Sequence, residues 1–280
     1  MSTGEEAPVV LHNAAGDTAS VSLHGAHVLS WRPAGAGEQL YCSPWSHPAP
    51  GKAVRGGVPV CFPQFSDRGP LPKHGFARTS RWEHLPLTLA GGEVAEARFQ
   101  LDSAMEPLVW DHAFCLVLVV RLGPGWLEMQ LEAANTGRSE WTFTAALHTY
   151  LAVQDVRTAQ VAGLQGLSYE DALQGNALKN DAAPALAFPG EVDRVYHDVP
   201  QVLRLQGGGM PERRVQQQGF TDAVLWNPGP AKAARLGDMP PDDWTRMVCI
   251  EAALVARPVP LGPGHTWHGA QRLQAAPLRP

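Results

Sequence analysis

Glycine and proline cut this chain into pieces too short for ordinary helices. The sequence holds 28 Gly and 25 Pro among 280 residues, and both disfavour a helix interior, Gly by about 1 kcal/mol and Pro by about 3 kcal/mol relative to Ala. Between these breaks stand short alternating or apolar runs rich in Val, Leu, Phe and Trp: 19–23, 26–31, 58–62, 113–122, 126–133, 140–153, 199–205, 223–226 and 246–253. Such runs, bounded by turn residues, predict an all-β chain folded as an antiparallel β-sandwich or barrel. Two helical pieces are expected besides, one turn opening at Pro240-Pro241-Asp242-Asp243-Trp244 and a second within Gln165–Leu178. Gly207-Gly208-Gly209 lacks the Lys-Ser/Thr of a phosphate loop and predicts a hairpin turn. With no internal repeat or obvious linker, residues 1–280 are read as a single domain.

Two runs carry polar groups where a sandwich wants apolar ones. Period-two alternation in 141–150 puts Phe143, Ala145 and Leu147 on one face, and Thr144, Ala146, His148 and Tyr150 on the other. The second face is small and polar, suited to the floor of a ligand groove. In 247–253, Glu251 shares a face with Met247, Cys249 and Ala253. A carboxylate there is costly unless it is paired, hydrogen-bonded or used.

Charge narrows the partner. The net charge is −5, which argues against nucleic acid or an anionic membrane, since both are held by excess Lys and Arg. Yet Lys52, Arg55, Arg68, Lys73, Arg78 and Arg81 stand against only Asp67 and Glu83 in residues 52–83, a local balance of +4. A basic stretch in an acidic chain suggests a small anionic ligand. No apolar run approaches the roughly 20 residues of a membrane span. Acids follow Met1 where a secretory leader carries bases, so the cytosol (a cytoplasmic setting) is expected. Cys42, Cys61, Cys115 and Cys249 form no C-x-x-C pair and are read as small buried residues. The His24/His27 and His265/His268 pairs, three apart, point to opposite strand faces and do not suggest a shared metal. The nine Trp are read as core or rim residues.

Five ordered segments carry a resemblance. Arg55-Gly-Gly-Val-Pro-Val-Cys-Phe-Pro63, Lys73-His-Gly-Phe-Ala-Arg78, Leu147-His-Thr-Tyr-Leu151, Glu191-Val-Asp-Arg-Val-Tyr196 and Met247-Val-Cys-Ile-Glu251 resemble the hexose-6-phosphate 1-epimerases. These are a branch of the aldose 1-epimerase (mutarotase) superfamily, and the likeness spans nearly the whole chain. It implies an antiparallel sandwich with a grooved concave face, and a reaction that interconverts sugar anomers with no cofactor and no metal. A base takes the proton of the anomeric hydroxyl while an acid protonates the ring oxygen; the ring opens, the C1–C2 bond rotates, and the roles reverse on closure. On this resemblance Glu251 is the base and His148 the acid. Without it, His148 reads equally as a hydrogen-bonded strand histidine and Glu251 as half of an ion pair.

The remaining site residues follow in the same way. Arg55 and Arg78 are phosphate ligands by guanidinium geometry, against the ordinary reading of a basic surface loop. Gly56 and Gly57 would let backbone N–H groups approach the anion. His74 resembles the family's second active-site histidine, near the sugar ring oxygen, and Asp193 a substrate-binding acid. Members of this branch are expected to carry Gln before the His-Gly pair. Lys73 stands there instead, either adding charge to the phosphate site or pointing to solvent. The expected ligand is a phosphorylated sugar bound by a monomer. Two alternatives stay open: a mutarotase for unphosphorylated aldoses, and a non-catalytic sugar-binding protein on the same scaffold.

Overall fold

The alternating runs form three antiparallel sheets. A computed structural model describes residues 6–86, 92–105 and 110–276. Strands Val9–His12, Thr18–Ser22 and His27–Arg32 make a small sheet near the N-terminus. Nine strands make one large sheet, with Phe114–Gly123, Trp126–Asn135 and Thr266–Ala275 among them. Eight make the other, in which Val192–Tyr196, Asp222–Asn227, Met247–Leu261, Trp141–Leu147 and Val60–Cys61 lie side by side. Tyr150–Ala152 continues the Trp141 strand and pairs with Met247–Leu261.

Residue type sorts the two faces of the eight-stranded sheet. Val248, Ile250, Ala252 and Leu254 turn into the main core with Phe143, Ala145 and Leu147, where they join Leu116, Leu118, Met129 and Leu131 of the nine-stranded sheet. Met247, Cys249 and Ala253 belong to two smaller clusters on the opposite face, which is the face of Glu251. The sheets are also tied by a polar bridge. Buried Gln271 donates from Nε2 to the Ile250 carbonyl at 2.9 Å and accepts from the Thr149 hydroxyl. Satisfying both groups of a buried amide makes the layer spacing specific.

The long strand Met247–Leu261 breaks register between Leu254 and Val259. There the backbone N–H groups of Val255 and Ala256 both donate to Asp222 Oδ2 at 2.8 Å, so one buried carboxylate satisfies donors that the ladder leaves unpaired.

Both expected helical turns are present, each as a short 3-10 helix. Residues 165–178 hold strand Ser168–Asp171, a three-residue 3-10 turn Ala172–Gln174 and the start of strand Ala177–Asn180. Asp171 caps the turn through the Leu173 N–H at 3.1 Å, and Gly175 and Asn176 take left-handed φ of 64° and 60°. Local polar turn chemistry limits the helical turn to three residues. The other expected turn is present as a 3-10 helix, Asp243–Arg246, and a short α-helix that the sequence did not suggest runs Gly229–Ala233. Gly207–Gly209 turns between strands Val202–Gly207 and Arg213–Gln218, all three at positive φ. All four cysteines are free. Among the described residues no helix is long and apolar enough to cross a membrane.

Candidate active site

Register brings His148 to Glu251. Leu147 pairs with Ala252 and Tyr150 with Cys249, so the two intervening residues put His148 directly opposite Glu251. Directly opposed side chains on one face of an antiparallel pair stand close enough to interact, and here His148 Nδ1 lies 3.3 Å from Glu251 Oε1. The ladder opens at this point: the His148 N–H donates to Pro59 O and the Tyr150 N–H to Gly57 O, each at 2.9 Å. Both side chains are buried, and His148 Nδ1 and Glu251 Oε2 have no hydrogen-bond partner. Burial holds the Glu251 carboxyl well above the usual carboxylate range, reinforced by Asp193 and opposed by Arg78. Burial likewise holds His148 well below the usual imidazole range, aided by His74, Arg78 and Arg55. In the unliganded pocket burial thus favours the uncharged form of each group, a protonated carboxyl and a neutral imidazole.

A cleft of about 240 Å³ opens above this pair, walled by Arg55, Lys73, His74, Arg78, Asp193, Trp226 and Lys232. Its size is below the roughly 300–1,000 Å³ of drug-sized pockets, which suits one monosaccharide. All seven residues singled out in the sequence line this cleft. His74 sits at φ 66° on a tight loop, its N–H donating to Ser66 O at 3.0 Å. Its Nδ1 accepts from the Ser66 N–H at 3.3 Å, which puts the ring proton on Nε2. Burial among Arg78, Lys73 and Arg55 pushes His74 down to about 3, so it is a neutral donor. Asp193 is raised, chiefly by burial and against the pull of Lys232, whose Nζ is 3.7 Å away.

The basic residues differ in how they are compensated. Arg55 donates to Asp238 from Nε and Nη2, the shortest contact 3.0 Å, and from Nη1 to the Tyr150 hydroxyl at 3.1 Å. Lys232 binds Glu191 at 2.7 Å. Lys73, 60% exposed, reaches Asp67 at 3.6 Å, so it stands at the rim. Arg78 donates from Nη2 to the Lys73 carbonyl at 2.8 Å, its Nε is buried without a partner, and among the described residues it meets no carboxylate within ion-pair distance. Arg68 and Arg81, by contrast, form surface pairs with Glu170 and Glu6.

Gly56 and Gly57 do a different task from the one expected. They do not line the cleft; the Gly57 N–H donates to Tyr41 O at 2.7 Å and the Gly56 carbonyl accepts from His27 Nε2 at 2.7 Å. A Cβ on Gly56 would lie 2.4 Å from Tyr41 O, and one on Gly57 2.2 Å from Val28 O. The pair is glycine because backbones cross there, and that crossing sets where Arg55 emerges.

Sequence reasoning missed Trp226, Lys232 and Asp238. Trp226 is legible only as a strand residue. Lys232 and Asp238 reach the site through a turn that buried Asn227 organises, its Oδ1 accepting from the Gly229 N–H at 2.8 Å and its Nδ2 donating to Trp244 O and Met247 O at 2.8 Å. The Trp-Asn-Pro-Gly run was the available signal for that turn.

His148, Cys249 and Glu251 each offer a ligand atom within 4.8 Å of the others. A soft cation would need the Cys249 thiolate, and so would have to expel the thiol proton from a buried site. Four cationic side chains around the cleft also oppose a divalent ion and favour an anion.

A layered antiparallel sandwich of this kind, with a cleft on one sheet face, is the fold of the mutarotase-like class of β-sandwich proteins. The profile described as Aldose 1-epimerase matches residues 8–274, and the chain belongs to that family, whose members are isomerases acting on sugars. It is 34% identical over 278 residues to a protein of Cenchrus ciliaris, covering 96% of this chain and 84% of that one. It is 36% identical over 264 residues to one of Escherichia coli, covering 92% and 87%. Both carry the name "Putative glucose-6-phosphate 1-epimerase". A solved structure of a "putative mutarotase" from Salmonella typhimurium superposes with a TM-score of 0.85 at 31% identity, over 96% of this chain and 90% of that one. A galactose mutarotase related enzyme from Lactobacillus acidophilus shares the fold, with a TM-score of 0.74 at 15% identity over 96% and 97% of the chains.

Proposed function

We propose that this enzyme interconverts the α and β anomers of glucose 6-phosphate and related hexose 6-phosphates by opening and closing the sugar ring. The observation that carries this reading is Arg78, a cation without a carboxylate partner on the wall of the cleft floored by His148 and Glu251. A neutral sugar leaves that guanidinium uncompensated, whereas a phosphate supplies charge and acceptors in matching geometry. The names of the relatives point the same way.

In this mechanism the Glu251 carboxylate takes the anomeric hydroxyl proton and His148 gives one to the ring oxygen. Since Nδ1 faces Glu251, His148 Nε2 serves the sugar, while His74 Nε2–H donates to an oxygen near the reacting carbon. Substrate also moves the resting proton. Sugar hydroxyls donating to unpartnered Glu251 Oε2 stabilise the carboxylate, and the phosphate dianion offsets Arg78 and Arg55, which had kept His148 neutral. After the ring opens, rotation and closure reverse both transfers, so no cofactor is consumed.

The pH dependence tests this. Catalysis needs one proton on the pair, in either location. That state is lost at low pH only when His148 protonates, below its usual range, and at high pH only when Glu251 gives up its proton, above its usual range. Above pH 7 the substrate is dianionic, its second pKa being about 6. The kcat/KM for glucose 6-phosphate is therefore expected to stay level as the pH rises past about 7. An unshifted pair would instead lose about tenfold per pH unit above the ordinary imidazole value, and such a decline would contradict the account.

A further inference from the structure

Tyr150 touches both halves of the site without lining the cleft. Its ring lies parallel to the His148 imidazole, with centroids 4.8 Å apart and planes 8° from parallel. Trp226 closes the edges of both rings at 6.1 and 6.0 Å. Tyr150 is 2% exposed, and its hydroxyl accepts from Arg55 Nη1 at 3.1 Å. With Asp238 on Nε and Nη2, this leaves one N–H on each terminal nitrogen of Arg55 for another ligand. Among the described residues His148 Nδ1 has no hydrogen-bond partner to fix the ring, though it lies 3.3 Å from Glu251 Oε1. The stack supplies the orientation that hydrogen bonds do not.

We propose that Tyr150 is a positioning residue with two separable tasks: its ring fixes the imidazole of His148, and its hydroxyl fixes the guanidinium of Arg55. The acid–base pair and the anion-binding end are thereby held at a set spacing on one buried side chain. Sub-ångström placement of this kind matters, since a misplacement of about 1 Å can cost about 10²-fold in rate. The hydroxyl task rests on the phosphate reading above; the ring task does not.

Two variants separate the tasks. Tyr150→Phe keeps the stack and removes one hydrogen bond to a charged group, so KM for glucose 6-phosphate is expected to rise about tenfold, with the larger share of the loss in KM. Tyr150→Leu removes the ring, so kcat is expected to fall at least about tenfold further. The His148 imidazole NMR signals should broaden or shift in Tyr150→Leu and keep their wild-type positions in Tyr150→Phe. If Tyr150→Leu does not fold, Tyr150→Met, which fills more of the ring's volume, serves the same comparison. Equal kcat in the Phe and aliphatic variants would overturn the ring task. An unchanged KM in Tyr150→Phe, where Arg55→Ala raises it, would overturn the hydroxyl task. If Arg55→Ala also leaves KM unchanged, it is the phosphate reading that fails.

Discussion

Glu251→Gln is expected to fold as the parent does and to lose anomer interconversion by about 10²–10⁴-fold, the usual contribution of a general acid or base. The amide keeps the shape of the carboxyl and its place opposite His148, but it cannot take a proton from the anomeric hydroxyl. Stability should not suffer. Glu251 is 1% exposed, and burial already favours its neutral form, so a neutral isostere removes the cost of keeping a carboxyl protonated at neutral pH. Thermal unfolding should be unchanged or occur at higher temperature, which separates a chemical loss from a folding loss. A variant that folds and retains full activity would remove Glu251 from the mechanism.

Arg78→Ala should act on binding. Charge-assisted hydrogen bonds contribute about 1.5–3 kcal/mol each, so KM for glucose 6-phosphate is expected to rise about 10²-fold, with a much smaller change in kcat. Little folding energy is at stake, because among the described residues the Arg78 side chain makes one hydrogen bond, to the Lys73 carbonyl. Activity on free glucose, where present, should move far less, since that sugar has no phosphate to lose. A parallel loss for both sugars in steady-state kinetics would show that Arg78 supports the fold or the chemistry, not the anion.

The sandwich was legible because alternation in 141–147 and 247–254 survives folding: one set of side chains fills the core and the other makes the cleft floor. That His148 faces Glu251 was not, because 103 residues separate them and only the cross-strand register aligns them. Within 165–178 a helical turn was legible but not its extent: Asp171, Gly175 and Asn176 confine it to the three residues Ala172–Gln174 between two strands. Gly56 and Gly57 were legible as a special backbone position, but their purpose lies in distant neighbours, Tyr41 and Val28. Asp238 was invisible for a related reason. It matters only through Arg55, 183 residues earlier.

The reading of residues 52–83 as a locally basic stretch is also sharpened by the fold. Of its cations, Arg68 and Arg81 are spent on surface pairs and Arg55 is held by Asp238. Arg78 and rim-standing Lys73 remain as the least compensated groups facing the cleft.

Exchange between the α and β anomeric proton signals of glucose 6-phosphate, followed by NMR with and without the enzyme and repeated with glucose, tests the central claim most directly. The account predicts that catalytic amounts of enzyme accelerate exchange of the phosphorylated sugar strongly and of glucose much less. Acceleration of glucose alone, or binding of glucose 6-phosphate with no faster exchange, would contradict it.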